Sequence, residues 1–198
     1  MNISNGEILQ IAKEVIEKEA SAVSSLANFV DDSFAEVVKL IYNNPGRLIV
    51  TGIGKSANIA GKIVATLNST GTHSVFMHAA DAIHGDLGII MPQDIVMCLS
   101  KSGNTPEIKM LVPLIKRMGN PLIAMVSNCD SFLALQADHI IKTTIESEAC
   151  PNNLAPTSST TTQLVMGDTL AVALLRLRGF SRSDFARLHP GGSLGKRL

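Results

Sequence analysis

Five short apolar runs without polar alternation constrain the fold more than any other feature of this chain. They span residues 48–51, 74–77, 94–99, 122–126 and 139–143. A strand that is apolar on both faces belongs inside a parallel sheet, because helices cover both sides of such a sheet. Helical patterns lie between and after the runs, at about residues 56–69, 106–118, 132–137, 160–178 and 183–187. The sequence therefore predicts an α/β fold, a five-stranded parallel sheet flanked by helices in a doubly wound sandwich.

The residues before the first run form a helical segment of their own. Apolar residues recur at helical spacing from residue 5 to residue 42, which is too long for one ordinary helix. We expect two helices that break near Asp31 and Asp32, followed by a turn at residues 43–46. Residues 1–44 are assigned to an N-terminal helical segment that packs on the domain. Residues 45–198 are assigned to the domain itself, so that the whole forms one compact domain.

Charge and composition exclude several classes of protein. Lys plus Arg and Asp plus Glu are 17 each, and aromatic residues make up 4% with no Trp. Nucleic-acid-binding proteins normally have a basic excess or stacking aromatics. Neither a membrane-spanning run nor a leader segment is evident, and three cysteines lack a paired spacing. We expect a cytoplasmic protein without nucleic-acid or membrane partners. Because only 17% of residues are charged, part of the surface is apolar, which favours an oligomer.

A glycine-rich turn follows the first predicted strand. Gly52 and Gly54 fit part of a dinucleotide-binding pattern, but no acidic residue closes the second strand, and the spacing does not fit a P-loop. We therefore expect no cofactor. The turn still opens a helix, whose free amides and positive dipole end suit an anion. Gly54, Lys55 and Ser56 are candidate anion-binding residues.

A second polar junction follows the third predicted strand, and we call its residues 100–105 the serine loop. Ser100, Ser102 and Thr105 supply three hydroxyl groups, and Gly103 lets a ligand approach the backbone. Thr105 is placed to cap the next helix, accepting from an amide while it donates to a ligand. With Glu107 the pattern reads S-x-S-G-x-T-x-E. It resembles the phosphate-binding signature of the sugar isomerase (SIS) fold, a flavodoxin-like doubly wound sandwich that binds phosphosugars.

Three further segments narrow the resemblance. They are the polar loop 146–161, which leads into the long helix, the C-terminal segment 188–195 and the segment 84–88. Together with the serine loop they resemble arabinose-5-phosphate isomerases over residues 51–197. Many members of that family continue into two regulatory CBS modules, whereas this chain stops at residue 198. We expect a short form without CBS domains, and whether the chain is naturally short or truncated stays open.

The resemblance implies a reaction and a set of site residues. The reaction interconverts D-ribulose 5-phosphate and D-arabinose 5-phosphate through a cis-enediol, and it feeds Kdo synthesis for lipopolysaccharide or capsule. The implied catalytic residues are Lys55, Glu107, Glu148 and His189. The candidate substrate-binding residues are Gly54, Ser56, His84, Ser100, Ser102, Thr105, Thr157, Ser158 and Ser159.

We can assign hypothetical roles to the four catalytic candidates. Glu148 or Glu107 is the carbon base, a role that a carboxylate performs best when partial desolvation raises its pKa. His189 shuttles protons or opens the sugar ring, in its own subunit or in a neighbour's site. Lys55 stabilises charge on the enediolate oxygen. The sequence does not decide which glutamate is the base.

The resemblance also bears on metals, partners and alternatives. No metal is expected to be required, and His84 and His189 are the candidate ligands of an inhibitory zinc ion. We expect a homotetramer, and CMP-Kdo is a candidate feedback ligand at the active site. Two alternatives stay open: an isomerase of another phosphosugar, and a non-catalytic SIS domain that senses phosphosugars. The second is disfavoured because the segment before the first strand is not basic.

Overall fold

Five strands form one parallel sheet in the computed structural model, which describes residues 3–191. They are β1 (Leu48–Gly52), β2 (Ser74–His78), β3 (Ile95–Ser100), β4 (Leu122–Val126) and β5 (His139–Lys142). The predicted strands are confirmed, with small differences at the ends. β3 begins one residue later than predicted, after Asp94, whose buried carboxylate accepts the Arg47 and Met91 backbone N–H groups.

Helices cover both faces of the sheet, as predicted. They are α1 (Asn5–Ser25), α2 (Asp32–Asn43), α3 (Lys55–Ser69), α4 (Ala79–Ala82), α5 (Pro106–Met118), α6 (Phe132–Gln136), α7 (Ser158–Leu177) and α8 (Arg182–Leu188). One core layer packs α2, α3 and α7 against the sheet, and the other packs α4, α5 and α6 against its opposite face. Leu99 belongs to the first layer and Cys98 to the second, as strand alternation requires. The doubly wound α/β prediction is confirmed.

The N-terminal segment contains two helices, which confirms the predicted break. Asp31 caps α2, because its carboxylate accepts the Ser33 backbone N–H at 3.0 Å. α2 buries one apolar face in the core, whereas no residue of α1 is buried. Within residues 3–191, none of the helices combines the length and apolar character that a membrane crossing requires.

The strand order β2-β1-β3-β4-β5 determines where a ligand can bind. The connections leave β1 and β3 toward opposite edges of the sheet, so the loops after these neighbouring strands diverge. In a doubly wound sheet this divergence opens a crevice at the carboxyl ends of the strands. The glycine-rich turn follows β1 and the serine loop follows β3, so the fold brings the first two polar junctions together.

Candidate functional site

A pocket of about 210 Å³ opens at this carboxyl edge of the sheet. Its lining residues are Ile53, Lys55, Ser56, Ser100, Lys101, Ser102, Thr105, Pro156, Ser159 and Thr160. The helices α3, α5 and α7 all begin at the loops that form its walls. The first backbone N–H groups and the positive dipole ends of α3 and α5 therefore border one cavity, which suits an anionic ligand.

A wider groove of about 440 Å³ lies at the opposite end of the sheet. It is bordered by residues 43–45, which precede β1, and by His139, the first residue of β5. α2 ends there, so the groove meets the carbonyl end of a helix, which disfavours an anion. The smaller pocket is the candidate site, because polar groups converge on it.

The serine loop holds two hydroxyl groups so that they can donate into the pocket. The Gly103 N–H donates to Ser100 Oγ at 3.0 Å, and the Asn104 N–H donates to Ser102 Oγ at 3.3 Å. A hydroxyl group that accepts one hydrogen bond still has its own hydrogen to donate. The loop is itself attached to α6, because the Leu133 N–H donates to the Gly103 carbonyl at 3.0 Å. The predicted phosphate-binding hydroxyls are thus fixed before any ligand arrives.

Thr105 occupies the N-cap position of α5, but its side chain does not cap the helix. The prediction that its hydroxyl accepts an amide is wrong: Thr105 Oγ1 is buried without a partner among the described residues. Thr105 lines the pocket, where an unpaired buried hydroxyl is costly unless a ligand completes it. Its hydroxyl is therefore not part of the helix cap, and Thr105 remains a candidate ligand-binding residue on the pocket wall.

The Glu148 side chain is buried against the start of α7, and both of its carboxylate oxygens accept hydrogen bonds from the protein. Its side chain is 0% exposed. Oε1 accepts from Lys101 Nζ at 2.7 Å. Oε2 accepts from the Thr157 N–H at 2.9 Å and from the Ser159 N–H at 3.1 Å. Burial raises the pKa of this carboxyl, but the bonds from Lys101, Ser159 and Thr157 outweigh it and lower the pKa to about 2. The raised pKa expected of a carbon base does not apply to Glu148.

This depressed pKa predicts a pH-dependent contribution to stability. Because the folded pKa is about 2, against an ordinary 4.5, Glu148 stabilises the fold above pH 4.5, and this contribution is lost as pH falls toward 2. In urea unfolding, Glu148→Gln is expected to be less stable than the parent chain at pH 6, with the gap narrowing at pH 3. Glu36→Gln, at an exposed acid on α2, controls for the loss of one carboxylate. A gap that stays constant with pH would contradict the ion-paired carboxylate.

Only one of the three predicted binding residues in the polar loop before α7 lines the pocket. The Thr157 hydroxyl group is hydrogen-bonded within the protein, since its Oγ1 accepts the Ala149 N–H at 2.8 Å and donates to Glu148. Ser159 lines the pocket. Ser158 is buried, and its hydroxyl is unpartnered among the described residues. Thr157 therefore shapes the loop, and Ser159 is the member of this group on the pocket wall.

Several predicted residues do not line the pocket in the single chain. Gly54 forms the turn before α3, with a φ of +57°. Glu107 is half-buried in the first turn of α5, two residues after Thr105. His84 is exposed in the loop after α4. His189 ends α8, where its ring stacks on Phe185 at 3.9 Å and Nδ1 lies 2.8 Å from the Phe185 carbonyl oxygen.

No group of three His, Cys, Asp or Glu side chains that could hold a metal ion occurs among residues 3–191. The predicted zinc ligands His84 and His189 are thus not part of such a group there. The end of the resembling C-terminal segment, from residue 192 onward, lies outside the described residues.

Lys101 lines the pocket, although it was not among the residues predicted from the sequence. It stands between the two serines of the serine loop, where the hydroxyl groups dominate the pattern. The signal that could have found it is its position directly after β3, at the carboxyl edge of the sheet where ligands bind. Its partner Glu148 follows β5, so their contact depends on the sheet order and not on local sequence.

Comparison with known proteins places most of the chain in one family. The sequence profile described as SIS domain matches residues 40–173. That range contains every strand of the sheet and the loops that line the pocket.

Two curated relatives extend the similarity. The chain is 50% identical over 199 residues to the arabinose 5-phosphate isomerase KdsD of Pseudomonas aeruginosa, covering 100% of this chain and 61% of the relative. It is 45% identical over 192 residues to the arabinose 5-phosphate isomerase KpsF of Escherichia coli CFT073, covering 96% of this chain and 59% of the relative. The chain therefore spans about three fifths of the length of these relatives.

A solved structure matches the fold closely. A protein of Escherichia coli CFT073, in complex with arabinose 5-phosphate, superposes with a TM-score of 0.92 at 38% sequence identity. The match covers 95% of this chain and 100% of that chain. The similarity thus extends over nearly all the elements described above.

Proposed function

The chain belongs to the SIS-domain family, and from that premise we propose that it is an aldose–ketose isomerase that interconverts D-ribulose 5-phosphate and D-arabinose 5-phosphate. The observation that carries the proposal is one pocket bordered by three helix N-termini, serine hydroxyls and two lysines. Such a pocket suits the phosphate of a phosphosugar and a reaction that develops negative charge. The curated relatives and the solved complex with arabinose 5-phosphate support this choice of substrate.

The serine loop is the proposed phosphate site. Ser100, Ser102 and Thr105 each keep a hydroxyl hydrogen to donate, and the start of α5 adds a positive dipole end. Ser56 at the start of α3 and Ser159 at the start of α7 also line the pocket, opposite this loop. The phosphate is therefore bound mainly by neutral donors, which leaves the two lysines to act on the sugar.

Glu107 is the proposed carbon base. Removal of a proton from C1 of ribulose 5-phosphate leaves the electron pair in a new C1–C2 double bond, and negative charge moves to the carbonyl oxygen at C2. Proton transfer from O1 to O2 and protonation of C2 then give the aldose. Glu148 is committed to Lys101 and to the start of α7, whereas no ion pair engages Glu107 within the described part of the chain. Lys55 stabilises the enediolate, and His189 serves in ring opening or proton shuttling.

A substrate panel tests the proposal. The purified chain is incubated with ribulose 5-phosphate and, separately, with a six-carbon and a seven-carbon ketose phosphate, and aldose phosphate formation is followed. We expect turnover of ribulose 5-phosphate with a kcat/KM well above that of the longer sugars. Preference for a longer sugar would identify an isomerase of another phosphosugar. Ligand-induced thermal stabilisation without turnover would indicate a sensing domain.

We further propose a homotetramer that is formed through apolar helix surfaces. α1 has no buried residue, although Ile8, Leu9, Ile11 and Ile16 are apolar and exposed. A tetramer needs a second interface, and α7 exposes Val172 and Leu177. Water-exposed apolar helix faces of this extent are typical of subunit interfaces.

Substitution on α1 tests this assembly. Ile16 is 68% exposed in the single chain, so Ile16→Glu should leave the fold intact but place a charge in the interface. Light scattering is expected to give four chains of 21.0 kDa for the parent protein and a smaller assembly for Ile16→Glu. Glu17→Lys, at an exposed acid flanked by Glu14 and Ser21 on the polar side of α1, is the control and should assemble normally. An unchanged mass for Ile16→Glu would argue against this interface.

The remaining parts of the proposal concern the cellular role. We propose that the chain works in the cytoplasm without a nucleic-acid partner and supplies arabinose 5-phosphate for Kdo synthesis, serving lipopolysaccharide or capsule. CMP-Kdo is the proposed feedback ligand, because Lys55 and Lys101 at the pocket complement its phosphodiester and carboxylate charges. If millimolar CMP-Kdo does not inhibit the isomerase reaction, the proposed feedback is refuted.

A further inference from the structure

Lys101 reaches Glu148 beside the start of α7, although serines flank it in sequence. Cys98 packs in the layer of α5 and Leu99 in the layer of α7, so alternation along β3 assigns its last residue, Ser100, to the side of α5. Lys101 follows the end of the strand and reaches the side of α7. The lysine therefore enters the pocket from the wall that faces the serine hydroxyls.

The Lys101 ammonium group is held in place while it stays open to a ligand. Its Nζ lies 2.7 Å from Oε1 of Glu148, whose side chain is 0% exposed, whereas the Lys101 side chain is 42% exposed. An ammonium group has three N–H donors, and Glu148 takes one. Bonds from the Thr157 and Ser159 amides fix the Glu148 carboxylate in turn. Two N–H donors of Lys101, which lines the pocket, are thus left without a partner among the described residues.

We propose that Lys101 is a further catalytic cation, and that Glu148 is its positioning residue. The inference rests on the proposed isomerase function. With the phosphate at the serine loop, the opposite wall faces the other end of the phosphosugar, where carbons C1 and C2 react. When the base takes the C1 proton, the carbonyl electron pair moves onto O2, and a Lys101 N–H donates a hydrogen bond to that oxygen. Donors placed where charge develops stabilise the transition state more than the ground state.

Glu148 acts through Lys101 and not on the sugar. Both carboxylate oxygens already accept hydrogen bonds, and the group is closed off from the pocket by burial. Its loss would release Lys101 and the start of α7 together. The structure therefore separates the two glutamates: one is available as the base, and the other orients a cation.

Substitutions of Lys101 test the first half of the proposal. We expect Lys101→Met to lower kcat on the order of 10²–10³-fold with a small change in KM, and Lys101→Arg to recover part of the loss. Thermal stabilisation by inorganic phosphate should be unchanged in Lys101→Met. Lys116→Met is the matched control, since Lys116 pairs with Asp138 at the opposite end of the sheet and should keep parental kinetics. A kcat within threefold of the parent, or a raised KM with lost phosphate binding, would overturn the role at the enediolate.

A double-mutant cycle tests the second half. If Glu148 acts through Lys101, the variant with both Lys101→Met and Glu148→Gln should have about the kcat of Lys101→Met alone, since two residues of one unit are not additive. A further loss on the order of 10²-fold in the double variant would overturn the positioning role, because Glu148 would then act independently of Lys101. The double variant also removes the buried unpaired charge that Lys101→Met leaves behind, so a folding defect of the single variant does not obscure the result.

The parent chain separates failure of this inference from failure of the proposed function. A parent chain that does not isomerise any ketose phosphate refutes the function, whatever the variants do. If the parent chain is active and the Lys101→Met and Glu148→Gln variants are fully active, only the proposed roles of Lys101 and Glu148 are refuted. The proposed roles of Lys101 and Glu148 are supported if activity falls in Lys101→Met, partly returns in Lys101→Arg and does not fall further in the double variant.

Discussion

Replacing Glu107 with Gln is expected to lower kcat by about 10²–10⁴-fold, the usual contribution of a general base. The amide keeps the shape of the side chain but cannot accept the carbon-bound proton. Glu107 lies half-buried in the first turn of α5 without an ion-pair partner among the described residues, whereas Glu148 is occupied by Lys101 and by the start of α7. Steady-state kinetics with ribulose 5-phosphate measures the effect, and KM should change little because the serine loop is untouched.

The control for Glu107→Gln is Asp32→Asn. Asp32 is also an acid in the first turn of a helix, at the start of α2 and apart from the residues that line the pocket. It should keep parental kinetics. If kcat of Glu107→Gln is within a few-fold of the parent value, Glu107 is not the base and another group must take the C1 proton.

Replacing Gly103 with Ala is expected to damage the serine loop. Gly103 has a φ of +64°, and a Cβ there would lie 2.1 Å from Ser131 Oγ and 2.6 Å from Ser131 Cβ. The loop must move away from α6, which displaces the Gly103 N–H that orients Ser100. Because misplacement by about 1 Å can cost about 10²-fold, we expect kcat/KM to fall by that order.

Gly119→Ala separates backbone strain from the collision. Gly119 ends α5 with a φ of +80°, and a Cβ there meets nothing within 4 Å. Both variants lose about 1–2 kcal/mol of stability by placing an L-residue in the left-handed region, but only Gly103→Ala adds the clash. Thermal unfolding should show a larger loss for Gly103→Ala, and only that variant should lose activity. Equal effects of the two variants on activity would argue against the loop as the phosphate site.

Local signals were sufficient to predict the fold and the first two junctions. Each strand of the sheet shows its burial as an apolar run, and Asp31 marks the break between the first two helices. The serine loop is a continuous segment, so its pattern could be read directly. The predicted fold is confirmed because every local preference agrees with it.

Contacts between distant segments could not be predicted in this way. Lys101 and Glu148 are 47 residues apart and meet only because β3 and β5 flank β4. Their ion pair reverses the expected effect of burial on the pKa of Glu148. The side-chain direction of Thr105 was also beyond reach, since the N-cap position does not decide whether a hydroxyl group turns to the helix or to the pocket.

Proton NMR of the chain in D₂O with ribulose 5-phosphate tests the central claim most directly. An enediol route through a half-buried, solvent-reachable base predicts arabinose 5-phosphate that carries deuterium at C2. Failure of the folded protein to form any aldose phosphate would contradict the isomerase function. Arabinose 5-phosphate without deuterium at C2 would contradict a base that exchanges its proton with solvent and would indicate a shielded proton transfer or a hydride shift.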